Sequence, residues 1–204
     1  MITRFQTLKE ANMKKKLDFA IGMFFALATV IFIVVFMTND AFFNWAFERH
    51  HNILSWYIRP LFIIPMVIFA YRKSFTGIFA SIFALFTSMF WFSVPKTSSP
   101  QVLEFLAFEM DYLKGAWTAP KIVISLAVPL FFVMLLLAAW KRNWKWLLGV
   151  IIGAAVLKVI WSIAFSGEAG TSILAPAIFG LVVCIGGLGY YYFRKHKKVN
   201  NRDH

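Results

Sequence analysis

The chain has 204 residues, 60% of them hydrophobic and only 15% charged, with a mean hydropathy of +0.71. Soluble domains carry roughly 25% charged residues, so a compact water-soluble globule is excluded, and 24 Phe with 8 Trp exclude disorder. A disulfide scaffold is excluded too, because Cys184 is the single cysteine. What remains is an all-α polytopic membrane protein forming one integral domain over residues 1–204.

A helix crossing a hydrocarbon layer of about 30 Å needs about 20 mostly apolar residues. Six stretches qualify: Phe19–Met37, Ile53–Tyr71, Phe75–Val94, Ile122–Trp140, Trp146–Phe165 and Ser172–Phe193. Prolines 60, 65, 129 and 176 predict kinks within them. Span one is too long for a signal-peptide core and lacks a small-x-small cleavage site, so retention is expected. No lipidation signature is present at either end.

Lysine and arginine in the loops predict orientation. The N-terminal segment (Arg4, Lys9, Lys14, Lys15, Lys16), Arg72-Lys73, Lys141, Arg142, Lys145 and the tail (Arg194, Lys195, Lys197, Lys198, Arg202) hold most of the 21 basic residues. The opposite side has Arg49, Lys96, Lys114 and Lys121 with Asp40, Glu48, Glu104, Glu109, Asp111 and Glu168. Both termini are therefore predicted cytoplasmic, in a multi-pass bacterial inner (plasma) membrane protein. The net charge of +12 then reports topology and attraction to membrane lipid, not nucleic acid, for which no motif exists. Trp140, Trp144, Trp146 and Tyr190–Tyr192 are expected at the inner interface, and Trp45, Trp56, Trp91 and Trp117 at the outer one.

The tight Arg72-Lys73-Ser74 loop makes spans two and three a helical hairpin, as Lys141–Lys145 does for spans four and five. Between spans three and four, Ser98-Ser99-Pro100-Gln101 reads as a helix start and Gly115 as its stop. The intervening segment mixes Leu103, Phe105, Leu106, Phe108 and Leu113 with Glu104, Glu109 and Asp111. It predicts one amphipathic helix on the outer surface. Ser166–Ser172 reads as a turn, with Thr171 or Ser172 capping span six. Gly149 and Gly153 on span five, and Ala177, Gly180, Cys184 and Gly187 on span six, form small-residue faces, expected to pack on each other or to support an oligomer. The two halves share no sequence motif that would mark an inverted repeat.

Two cations stand inside spans. Lys158 lies twelve residues past Trp146, about 18 Å along the helix, and Arg59 about 9 Å below the outer boundary. Intramembrane cations face a wet cavity or a partner. No span contains an acid, so either an outer-loop carboxylate dips inward or a bound anion supplies the charge. Arginine grips carboxylate or phosphate bidentately, and lysine acts as a point charge. The first expectation is thus a transporter-like or solute-binding protein with an outward pocket for a small anionic solute or lipid head group. Arg59 and Lys158 would receive the anion, and Glu168, Glu104 and the Gln101–Lys114 segment would line the mouth. A dry, sealed ion pair at Lys158 would end that reading. The second is a membrane-embedded enzyme on a lipid or lipid-linked substrate, using Glu48, His50 and His51 as acid–base groups or metal ligands, although adjacent histidines diverge on a helix and no H-E-x-x-H spacing is present. The third is a non-catalytic assembly or signalling partner whose charges only pair with one another. No cofactor is indicated, and no family resemblance rises above architecture.

Overall fold

The structure, a computed structural model, describes residues 2–200. Its elements are helices α1 (Ile2–Thr38), α2 (Asp40–His50), α3 (Leu54–Ile58), α4 (Ile63–Tyr71), α5 (Phe75–Thr87), α6 (Pro100–Lys114), α7 (Ala119–Ser125), α8 (Ala127–Trp140), α9 (Trp144–Ser166) and α10 (Leu174–Asn200). No strand occurs among the described residues. Four helical segments are long and apolar enough to cross a membrane: Lys9–Thr38, Leu54–Tyr71, Ala119–Trp140 and Trp144–Arg194. The last covers 51 residues, about 77 Å if straight. It does not run straight: at Gly167 the backbone takes φ +57°, a conformation glycine adopts without a Cβ penalty, and a 3₁₀ stretch over Gly167–Ile173 turns the chain back into α10.

Two turns at one end of the bundle are built alike. After α4, Lys73 N–H donates to the Ala70 carbonyl and Ser74 N–H to that of Phe69, each at 3.0 Å; after α8, Arg142 donates to Ala139 and Asn143 to Ala138, again at 3.0 Å. Both are Schellman closures, and the left-handed residue is basic in each: Lys73 at φ 59° and Arg142 at φ 56°. The next residue immediately caps the following helix, Ser74 Oγ accepting from Gly77 N–H and Asn143 Oδ1 from Trp146 N–H. The hairpins expected between spans two and three and between four and five therefore form by one device. Tyr71-Arg72-Lys73-Ser74 and Trp140-Lys141-Arg142-Asn143 share its pattern of aromatic, two cations and a cap; these two loops do not correspond under a three-plus-three inversion, so the pattern is a common turn device and not the mark of an inverted repeat.

The first turn carries an additional lock. Asp18, in mid-α1, accepts from the Ser74 hydroxyl (2.7 Å) and from the N–H groups of Phe75 (2.8 Å) and Thr76 (3.3 Å), while its own carbonyl accepts from the Thr76 hydroxyl (2.8 Å). A carboxylate at a helix N-terminus satisfies orphan donors and complements the helix dipole. Just above it Gly22 lets the backbone of α5 approach α1, since a Cβ there would meet Phe75 at 2.8 Å.

Several expected spans are segmented, for identifiable reasons. The second is two short helices joined by a 3₁₀ turn over Arg59–Phe62, where Pro60 interrupts the α-helical ladder. The fourth breaks between Ser125 and Ala127; Pro129, four residues on, has no N–H to offer the Ser125 carbonyl. The third is shorter than the expected Phe75–Val94. Its helix ends at Thr87 with a 3₁₀ turn to Phe90, and Thr87 and Ser88 hydroxyls bond back to carbonyls of the preceding turn. At Ser166–Ser172 the hydroxyls also donate backward, Thr171 to Glu168 O and Ser172 to Ala169 O, so neither caps α10 as expected. Helix α6 starts and stops where expected, with Ser99 Oγ accepting from Val102 N–H and Gly115 closing on the Asp111 carbonyl.

The core has two chemically distinct halves. Toward the turn end it is aliphatic and close-packed: Met66, Val67 and Ala70 of α4 against Leu135, Ala138 and Ala139 of α8, with Leu147, Val150 and Ile151 of α9. Toward the α2–α6 end it is aromatic: Phe36, Phe43, Phe47, Trp56 and Phe105. Trp56, expected in an interfacial belt, is only 7% exposed and belongs to this core. The small-residue face of α10 packs on the proline-bent second span, not on α9. A Cβ at Gly180 would meet Pro60 at 2.5 Å, one at Gly187 would meet Ile64 at 3.0 Å, and the Cys184 thiol donates to the Pro60 carbonyl at 3.1 Å. Gly149 and Gly153 face open space.

Candidate functional site

Helix α6 turns two faces to different surroundings. Val102, Phe105 and Leu106 are buried, whereas Gln101, Glu104 and Asp111 are exposed. Phe105, Phe108, Glu109 and Tyr112 follow i, i+3, i+4, i+7 spacing and so share one stripe. On α9, Lys158, Trp161 and Ser162 share a stripe by the same rule. The two stripes meet: Phe108 and Tyr112 lie 5.7 and 5.4 Å from the Trp161 ring, centroid to centroid, and Lys158 Nζ stands 5.5 Å above Phe105 and 5.0 Å above Trp161. At the seam Lys158 Nζ donates to Glu109 Oε1 at 3.2 Å.

An outer-loop carboxylate thus dips toward Lys158, one branch of the expected fork. The pair is not sealed: the Lys158 side chain is 49% exposed and that of Glu109 21%. An ion pair between side chains this exposed is weak in water, about 0–1 kcal/mol.

Arg59 is different. It sits in the 3₁₀ turn that Pro60 creates, and its Nε is cut off from solvent with no hydrogen-bond partner. Glu109 is the acid whose field reaches it, yet that carboxylate hydrogen-bonds to Lys158 instead. Two further buried polar atoms without partners are Trp161 Nε1 and Ser162 Oγ, adjacent on the α9 stripe. Among the described residues these three complete the set of such side-chain atoms. Two can only donate and the third is a hydroxyl. An unsatisfied buried donor costs about 1–3 kcal/mol, and a charged one more. The α6 end of the molecule is short of acceptors.

His50 closes this neighbourhood. Its ring is 3% exposed, packs against Phe47 and Trp56, and shares a 2.7 Å hydrogen bond between Nδ1 and Ser55 Oγ; its carbonyl accepts from Trp56 Nε1. Burial holds its imidazole well below the ordinary 6.5, and the charges of Arg59, Lys158 and His51 push the same way. A neutral histidine surrounded by cations adds no counter-charge.

The other sequence candidates do not converge. His51 Nδ1 contacts the Glu48 carbonyl at 3.1 Å, one turn back, while the His50 ring turns inward to Ser55. Glu48, His50 and His51 form no cluster of three metal-ligating side chains among the described residues. Glu104 and Glu168 are exposed at the periphery. The residues missed by sequence reasoning are Trp161 and Ser162, and Glu109 was named only as one of six outer acids. The signal for Glu109 was present: the aromatic spacing Phe105, Phe108, Tyr112 places it on the inward stripe, apart from Glu104 and Asp111. No protein-family model, curated protein or solved structure matches this chain.

Proposed function

We propose that the chain is a six-pass membrane protein of the bacterial inner membrane, both termini cytoplasmic, that binds a solute through an anionic group in the outer half of the bundle. Six crossings follow if the 51-residue segment counts as its two helices α9 and α10, and if the shorter apolar helix Phe75–Phe90 crosses beside them. Positive loop charge puts the two basic turns inside, so α2 and α6 lie outside. Arg59 supplies the fixed charge, Lys158 the second, and Glu104 and Glu168 border the approach. Glu109 holds Lys158 while the site is empty and yields it to the incoming anion. The observation that carries this reading is the buried Arg59 Nε without an acceptor; Trp161 Nε1 and Ser162 Oγ, on the α9 stripe that carries Lys158, are in the same condition.

The test is thermal unfolding of the purified protein in nanodiscs with inorganic phosphate or decanoate. Saturation at a hundred times Kd adds about 2.7 kcal/mol, a rise of several degrees in Tm. Arg59→Met should abolish the rise, whereas Lys114→Gln, at a peripheral ion pair, should keep it. No rise with either anion, or an equal rise in Arg59→Met, overturns the reading. The alternative of an assembly partner draws on the Lys158–Glu109 and Lys114–Asp40 pairs. Under it Lys158→Met weakens folding or complex formation and leaves any anion response unchanged.

A further inference from the structure

A second site lies at the opposite end of the bundle. Between α1, α4 and α5 runs an open cavity of ≈ 590 Å³. Leu17 and Ile21 of α1, Pro65 and Phe69 of α4, and Ala80 and Ala84 of α5 give it an apolar lining. The polar groups bordering it are already engaged. The Ser81 hydroxyl donates to the Gly77 carbonyl at 2.7 Å, that of Thr76 to the Asp18 carbonyl, and both Asp18 carboxylate oxygens accept from the start of α5. The interior therefore suits a hydrocarbon chain and offers nothing to a polar solute.

The mouth is different in charge. Lys14 lines it one helical turn before Asp18 and forms no ion pair among the described residues with either acid one turn away, Glu10 or Asp18; the Asp18 carboxylate is committed to Ser74, Phe75 and Thr76. Lys15, Lys16, Arg72 and Lys73 add positive charge at the same end. A second copy seated here side by side would bring its own basic end against this one and be repelled. A ligand with an apolar chain and a negative head meets both conditions together. We infer that the cavity holds one anionic phospholipid of the leaflet at the basic-turn end, its acyl chain along Ala80 and Ala84 and its phosphate at Lys14. This inference is independent of the anion site at Arg59.

Native mass spectrometry of the detergent-purified full chain, titrated with phosphatidylglycerol or phosphatidylcholine of identical acyl chains, tests it. The expected result is one retained phosphatidylglycerol in preference to phosphatidylcholine. Ala80→Phe and Ala84→Phe should remove it by filling the cavity. Lys14→Gln should keep a lipid but lower the headgroup preference about fivefold, the worth of one lysine at a charged surface. Equal retention of the two lipids by the unaltered chain overturns the inference. So does unchanged retention in folded phenylalanine variants, or a concentration-dependent dimer that those variants abolish without altering lipid retention. If the phenylalanine variants fail to fold, the exposed Lys14→Gln variant decides, and an unchanged preference overturns the inference.

Discussion

The two ends of this bundle treat buried polarity in opposite ways. At the basic-turn end, two Schellman closures, two side-chain caps and the Asp18 carboxylate give the backbone of each turn a partner. At the α6 end, Arg59 Nε, Trp161 Nε1 and Ser162 Oγ lie buried without one. The first arrangement satisfies the backbone at each turn; the second costs free energy, because a buried donor without a partner forfeits its hydration. Deleting a charge should therefore have opposite signs at the two ends.

The largest effect is expected at Arg59. Arg59→Met removes a cation whose Nε is buried without a partner, and should leave the anion-free protein as stable or more stable while weakening anion binding on the order of a hundredfold. Calorimetric Tm with and without phosphate reads both; a destabilised variant that still responds to phosphate would break the contrast. Asp18→Ala should act the other way, lowering stability by about 3 kcal/mol through the loss of charge-assisted bonds to α5. Denaturation in mixed micelles measures this loss, and a neutral outcome would show that the lock on the first turn is dispensable.

His50 sharpens the comparison through pH. Its folded-state value lies well below the ordinary 6.5, so below that pH the unfolded chain binds a proton that the folded chain excludes. Stability is then full above about 6.5 and falls as the pH drops below it. His50→Gln should flatten a Tm profile taken from pH 8 to 5. The smallest effect belongs to the exposed pair of Lys114 with Asp40 at 2.6 Å. Lys114→Gln should change stability by less than about 1 kcal/mol, and a larger loss would mean that surface charge, not burial, sets the behaviour of this end.

Much of the local structure was legible in the sequence. Apolar runs, the Ser99 cap, the Gly115 stop and the Pro60 break each follow from residues within one helical turn of where they act. Among the site residues, the two intramembrane cations were legible from their type alone, since charge inside an apolar run is conspicuous. Glu109 was harder to single out, because its rank among six outer acids depends on which face of α6 turns inward. Trp161 and Ser162 carry no signal beyond their spacing from Lys158. His50 and His51 were misleading as neighbours in sequence: a helix that ends at His50 sends one ring into the core and leaves the other at the turn.

By itself the sequence determined that the chain is helical and membrane-embedded, and where α6 starts and stops, because transfer free energy and capping act over a few adjacent residues. Tertiary structure decided the rest. It paired Lys158 with a carboxylate 49 residues away and Asp18 with a helix start 56 residues on. It also set Gly180 against Pro60 while Gly149 faces open space. These outcomes depend on how far each helix is rotated about its axis and which neighbour it meets. Apolar helices in an apolar medium gain little from burial itself, so close packing and hydrogen bonds among distant residues settle those choices.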